Sequence, residues 1–201
     1  MWTQFIFRHW KLLGKRKQPL FLKSESSNTN MRTKDIGEYF FHTALGGLHL
    51  QIKAGCVRRI DFLQYTAGRD LDLVEVLQGI SLNGQVCLQP SGTAFQFSVW
   101  SEMQRIQPGE TLTYGTLAKK MGKPLASRAV GRAVGANPIA MLLPCHRVLP
   151  ARGGVGDFRW GRWRKRQLLA WESSGKDALA AICAGMPLSL QFYLDLTTCV
   201  G

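Results

Sequence analysis

The run Pro144-Cys145-His146-Arg147-Val148 sets a thiol beside an imidazole and a guanidinium, directly after the apolar stretch Ala140-Met141-Leu142-Leu143. Cysteine attacks only as the thiolate, and nearby bases and cations favour that form. Pro144 stiffens the approach to the cysteine. The run therefore reads as a fixed nucleophile in an electropositive setting. Read alone it also fits a buried structural cysteine, because free cysteine is among the most buried residue types. Its surroundings favour chemistry. Upstream lies Ser127-Arg128-Ala129-Val130-Gly131-Arg132-Ala133-Val134-Gly135-Ala136-Asn137-Pro138. Downstream lie Gly153-Gly154-Val155-Gly156-Asp157-Phe158-Arg159-Trp160-Gly161 and then the stretch from Lys165 to Glu172.

A nucleophile of this kind must be held by regular elements. Phe95, Phe97, Val99, Trp100, Met103 and Ile106 have helical spacing over 94–106, and Pro108-Gly109 ends that helix. Thr113-Tyr114 opens the next segment. Thr116 through Met121 read as a short helix with Leu117, Ala118 and Met121 inward, and Gly122-Lys123-Pro124 as a turn. Ser127 is the N-cap candidate for a second helix from Arg128 to Val134. Helix, glycine-containing turn and helix form a helix-turn-helix pattern, and Lys119, Lys120, Lys123, Arg128 and Arg132 tilt it toward DNA. Nearer the N-terminus, Tyr39 to Thr43, Leu48 to Ile52 and Val57 to Phe62 read as strands. Gly46-Gly47 signals a hairpin, and Leu71 to Leu77 a short helix.

The formal net charge is +13, and residues 100–176 carry 14 basic against 4 acidic side chains. The charge thus gathers on the half that holds Cys145, where it would draw a polyanion. Five cysteines, widely spaced and without a CxxC pair, argue against a disulfide framework and for a reducing compartment. The histidines show no metal-ligand spacing with them. Phe5-Ile6-Phe7 is too short and too interrupted by charge for a secretory signal. Met31 stands just before the globular pattern, and translation starting there is an expectation of this reading. The apolar stretch from Ala178 to Val200 contains Pro187, Gln191 and Asp195, which speaks against a membrane span.

From about Gly92 to Glu172 the chain resembles the O6-alkylguanine-DNA alkyltransferases, also called methylated-DNA–protein-cysteine methyltransferases. The resemblance implies an α/β + α fold: a small ribonuclease-H-like α/β domain, then a mostly helical winged-helix/helix-turn-helix domain. It implies single-turnover transfer of an alkyl group from O6-alkylguanine in double-stranded DNA to Cys145, by base flipping from the minor groove, with no cofactor and no metal. His146 and Glu172 would complete a Cys–water–His–Glu relay, Glu172 favouring the protonated imidazole. Asn137 would support the active-site turn. Tyr114 would help rotate the nucleotide, and Arg128 would fill the gap left by the flipped base. Ser127, Ala129, Gly131 and Arg132 would lie along the DNA, the small residues Ala129, Gly131, Ala133 and Gly135 allowing close approach. Val148, Val155, Gly156, Phe158, Arg159 and Trp160 would form the substrate pocket. Arg147 is expected to hold the local fold by hydrogen bonds, and Lys165 to support the site.

Phe158 and Trp160 depart from many members of that family. A bulky Trp160 implies a pocket that prefers methyl to groups such as benzyl. The expected organisation is a basic extension over 1–35, an α/β domain over 36–90 abbreviated between Gln64 and Gln89, a DNA-binding alkyltransferase domain over 91–174 and a tail over 175–201. The chain is expected to be a monomer, cytoplasmic in a bacterium or nuclear in a eukaryote. Two rivals stay open at this point: a thiol hydrolase using Cys145 and His146, and a non-catalytic sensor of alkylated DNA or helix-turn-helix regulator.

Overall fold

The computed structural model of the chain describes residues 37–64, 73–81, 85–175 and 191–194. The expectations for 1–35, for Leu71 and for most of the tail lie outside the described residues.

Alternating apolar residues build the first half as a sheet. Strands β1 (Gly37–Thr43), β2 (Gly46–Lys53) and β3 (Cys56–Leu63) form an antiparallel meander. Every inward side chain is apolar: Phe41, Leu48, Leu50, Ile52, Val57, Ile60 and Phe62 are buried. The first hairpin turns at Ala44-Leu45, not at Gly46-Gly47. These glycines open β2 instead, with Gly46 at φ +96°. The second hairpin turns at Ala54-Gly55, both with positive φ, as a two-residue turn matched to strand twist requires.

Helix α1 (Leu73–Ile80) then packs Leu73 and Leu77 into the core and leads to β4 (Gln85–Leu88), parallel to β3. The stretch between Gln64 and Gln89 thus contains both a helix and a strand. The sheet also gains a strand from the tail, β7 (Gln191–Leu194), parallel to β4. Cys56 lies opposite Cys87 in the β3–β4 register, and the two are disulfide-bonded with Cα atoms 4.7 Å apart. This corrects the expectation drawn from cysteine spacing. A separation of 31 residues hides two strands that run side by side.

The second half is helical. Helix α2 (Ala94–Gln104) begins with a capping box: Thr93 Oγ1 accepts from Gln96 N, and Gln96 Oε1 accepts from Thr93 N. Helix α3 (Tyr114–Lys120) follows the two-residue strand β5 (Leu112–Thr113) and is capped by the Thr113 hydroxyl. It closes in a Schellman motif, with Gly122 N donating to Lys119 O and Lys123 N to Ala118 O. Gly122 takes the left-handed conformation that this closure needs.

Helix α4 (Ser127–Gly135) starts one residue earlier than expected. Its cap position is Ala126, without a side-chain bond, so Ser127 is inside the helix and not its N-cap. Trp100 Nε1 donates to Ala133 O at 2.9 Å and pins α4 to α2. Ala133 is therefore buried, unlike Ala129, Gly131 and Gly135. Strand β6 (Val148–Leu149) pairs parallel with β5, and α5 (Arg162–Ser173) closes the half. One continuous apolar cluster runs from the sheet through α2, α3, α4 and α5. Among the described residues no helix is long and apolar enough to cross a membrane.

Candidate active site

The loop before the cysteine is fixed from both halves. Ile60 on β3 donates to Pro138 O and accepts from Ala140 N, each at 3.0 Å, so residues 138–140 dock on the sheet as a short parallel bridge. Asn137 organises the inside of the loop. Its Oδ1 accepts from Ile139 N at 2.9 Å, and its Nδ2 donates to Leu143 O at 2.8 Å and to Cys145 Sγ at 3.1 Å. Met141 turns the chain with φ +67°, a conformation rarely adopted by a side-chain-bearing residue. Cys145–Arg147 then form a single 3-10 turn leading into β6.

Cys145 is 4% exposed and is the free cysteine among the described residues. Burial pushes its pKa up to about 11, against the Asn137 hydrogen bond and the nearby charges of Lys165 and Arg159. The resting nucleophile is therefore a neutral thiol, whereas the sequence pointed to an activated one. The neighbouring cation is engaged elsewhere. Arg147 donates from Nε and Nη2 to the Glu172 carboxylate, the latter at 2.7 Å, and from Nη1 to Ile106 O at 2.6 Å. It holds the local fold.

His146 Nε2 lies 3.0 Å from Glu172 Oε1, and both side chains are buried. His146 Nδ1 is buried with no hydrogen-bond partner among the described residues. Burial lowers the His146 pKa and outweighs the opposing pull of Glu172, so the imidazole is neutral at rest and able to accept a proton. Burial works against ionisation of Glu172 too, but hydrogen bonds from His146 and Arg147 hold its pKa at about 2. Gly109 N adds a longer bond to the same carboxylate.

Above Cys145 opens a cavity of about 290 Å3. Tyr114, Phe158 and Trp160 wall it, and α4 contributes Gly131, Val134 and Gly135. Asp157, Arg159 and Lys165 supply charge. Burial, then Cys145 and Asp157, raises the Tyr114 pKa, which keeps its hydroxyl a donor. Lys165 is buried, donates from Nζ to Val148 O at 2.8 Å, and has its pKa lowered by burial.

The structure thus brings Cys145, Tyr114, Asn137, Gly131, Phe158, Arg159 and Trp160 around one cavity or its floor, with His146 and Glu172 packed behind. Val148, Val155 and Gly156 do not line it. Val148 is buried beneath and offers its carbonyl to Lys165. Gly156 has φ +67°, and a Cβ there would meet Pro150 Cδ at 2.9 Å, so it shapes the loop instead. Arg128 and Arg132 are exposed on α4, with Ser127 and Ala129 half-buried. Sequence reading missed Val134, Gly135 and Asp157 as lining. The first two were within reach, since they follow Gly131 at the i+3 and i+4 positions of one helix face.

Residues 94–174 match the family model described as the DNA-binding domain of 6-O-methylguanine DNA methyltransferase. The chain is 51% identical over 89 residues to a methylated-DNA–protein-cysteine methyltransferase of Methanosarcina acetivorans, covering 44% of this chain and 57% of that protein. It is 48% identical over 90 residues to the regulatory protein ada of Salmonella typhimurium, covering 45% of this chain and 26% of that protein. The match thus spans little more than half of the first relative and about a quarter of the second. Mycobacterium tuberculosis OGT, solved in complex with DNA, superposes with a TM-score of 0.56 at 33% identity, covering 71% of this chain and 98% of that one.

Proposed function

The chain belongs to the O6-methylguanine-DNA methyltransferases, the methylated-DNA–protein-cysteine methyltransferases, and from that premise we propose that it repairs alkylated DNA by moving the alkyl group of O6-alkylguanine onto its own Cys145. One observation carries this reading. A buried thiol, bonded to Asn137 and backed by a His146–Glu172–Arg147 network, floors a cavity whose side wall is the basic helix α4.

The lesion lies inside the duplex, so the nucleotide must rotate out, at a cost of a few kcal/mol. Arg128 fills the gap it leaves, while Ser127, Ala129, Gly131 and Arg132 follow the minor groove. Tyr114 aids rotation and donates to the guanine ring edge. The backbone at Cys145 takes the exocyclic amine, and the loop at Arg159 faces O6. The thiol proton then passes through a water molecule to His146 Nδ1, and Glu172 balances the new imidazolium charge. Sulfur attacks the alkyl carbon in line. The S–C bond forms, the C–O bond breaks, and guanine leaves with the electron pair, stabilised by hydrogen bonds at O6. The proton taken from the thiol restores neutral guanine. The thioether is stable, so each chain acts once, as a monomer on one lesion.

The finer architecture follows the same reading. The meander with its parallel strands around α1 is a ribonuclease-H-like domain over 36–90. The α3–turn–α4 unit backed by β5 and β6 is a winged-helix/helix-turn-helix domain over 91–174. The acceptor thiol supports transfer over a sensor that only binds damage, and the basic helix has no use in a thiol hydrolase.

The test is intact mass spectrometry after mixing the full chain with an equimolar duplex containing one O6-methylguanine. The expected outcome is a gain of one methylene unit that maps to Cys145, saturates at one per chain and is absent in Cys145→Ser. Tight DNA binding with no mass gain would overturn the reading in favour of a sensor.

A further inference from the structure

Trp160 walls the cavity above Cys145, yet its indole is anchored outside the helical half. Its Nε1 donates to Asp61 Oδ1 on β3 at 2.9 Å. The same ring meets Phe62, the next residue of β3, edge-on at 6.3 Å, and Phe158 at 5.2 Å. Its backbone carbonyl accepts from Arg164 Nη1, and Arg164 also donates to Leu45 O and Leu63 O of the sheet half. Asp61 is itself held by an ion pair with Arg59. Trp160 is 7% exposed.

From these contacts we infer that Asp61 is a specificity-determining positioning residue: by holding the Trp160 indole across the cavity, the sheet half sets the size of alkyl group that can reach Cys145. The inference rests on the alkyl-transfer reading above. An indole is widened out of a pocket by rotation about its two side-chain torsions, and rotation here breaks a partly buried, charge-assisted hydrogen bond. A methyl group fits without that rotation. A benzyl group needs the wall to move, so its transfer carries the cost of the bond and methyl transfer does not. Nothing in the Asp61 contact reaches the sulfur, His146 or Glu172, so the effect belongs to substrate size and not to nucleophile activation.

The experiment compares single-turnover transfer to the full chain from two duplexes, one with O6-methylguanine and one with O6-benzylguanine, and reads the ratio of the two rates. Asp61→Ala removes the acceptor and is expected to raise the benzyl-to-methyl ratio about tenfold, the scale of one lost hydrogen bond to a charged group. Asp61→Asn keeps an acceptor oxygen and is expected to stay within about threefold of the unmodified chain. Trp160→Phe removes the donor and is expected to raise the ratio as Asp61→Ala does. Because Trp160→Phe also shortens the wall, Asp61→Leu, which fills the space without accepting a hydrogen bond, decides the matter if Asp61→Ala fails to fold: the same rise is expected, and an unchanged ratio overturns the inference. The inference is overturned if Asp61→Ala leaves the ratio unchanged, or if Asp61→Asn shifts it as far as Asp61→Ala. An unmodified chain that transfers neither group would instead sink the alkyl-transfer reading, and this inference with it.

Discussion

A thiol with a pKa of about 11 is a poor nucleophile in neutral water, and that sets how Cys145 must be used. Near pH 7 about one chain in ten thousand would carry the thiolate, so activation must come with a bound base and a neutral His146 ready to accept the proton. A small electrophile brings no such base into the cavity. We therefore expect iodoacetamide to modify Cys145 about a hundredfold more slowly at neutral pH than a thiol at the ordinary value of 9.0, with the rate midpoint shifted to about pH 11. Peptide mapping over a pH series measures this, and a midpoint at or below that of a free thiol would show that the buried site does not suppress the thiolate. That Cys145 and His146 share one turn was legible because the two are adjacent in sequence. The sign of the Cys145 shift was not. It comes from desolvation by packed neighbours, while the adjacent cation Arg147 spends its donors on Glu172 and Ile106 O. Glu172 was legible through family resemblance and as the one acid between Asp157 and Asp177, since nothing in local spacing joins residues 26 apart.

At the level of elements, the sheet half acts as the mount of the reactive loop. β3 bonds residues 138–140 through Ile60, and α5 returns Arg164 to the sheet. Arg164 is the stronger tie: it donates to Leu45 O, Leu63 O and Trp160 O, and its guanidinium lies 5.2 Å from the Phe62 ring centroid and 4.5 Å from that of Trp163. Arg164→Met keeps the apolar stem but strands three carbonyl oxygens. The expected loss is on the order of 3 kcal/mol, or roughly 6–12 °C in melting temperature. Calorimetry checks this, and a change under about 2 °C would mean that water replaces the guanidinium at no cost. Periodicity revealed the strands and the helices α3 and α4 with the turn between them because each is specified within its own residues. The mount was not legible. Its bonds run between backbone groups and one arginine about 100 residues away, and helical spacing gave no reason to bury Arg164 rather than expose it. The Asp61–Trp160 contact escaped for the same reason, at a separation of 99 residues.

For the whole molecule, net charge and buried titrating groups together govern how the fold answers to acid. The basic bias was plain in the composition, but the fifth strand was not, because β7 joins β4 across more than a hundred residues. Two buried groups push stability in the same direction. The folded-state pKa of His146 is depressed below 6.5, so the unfolded chain binds a proton that the folded one refuses, and stability falls as pH drops through 6.5. Glu172 is depressed from 4.5 to about 2, so its contribution is complete above 4.5 and is lost as pH falls toward 2. That second loss amounts to about 3 kcal/mol. A chain of net charge +13 gains further positive charge over the same range, which adds self-repulsion. We expect the melting temperature to decline in two stages, the first setting in near pH 6.5 and the second between about 4.5 and 2. Glu172→Gln starts from a less stable fold, since Arg147 and His146 lose their buried partner, but it should lack the lower stage. Melting temperatures of both proteins from pH 8 to pH 2.5 decide the point. If the variant keeps the same slope below 4.5 as the unmodified chain, the acid response comes from surface charge, and the Glu172 network does not anchor the fold around Cys145.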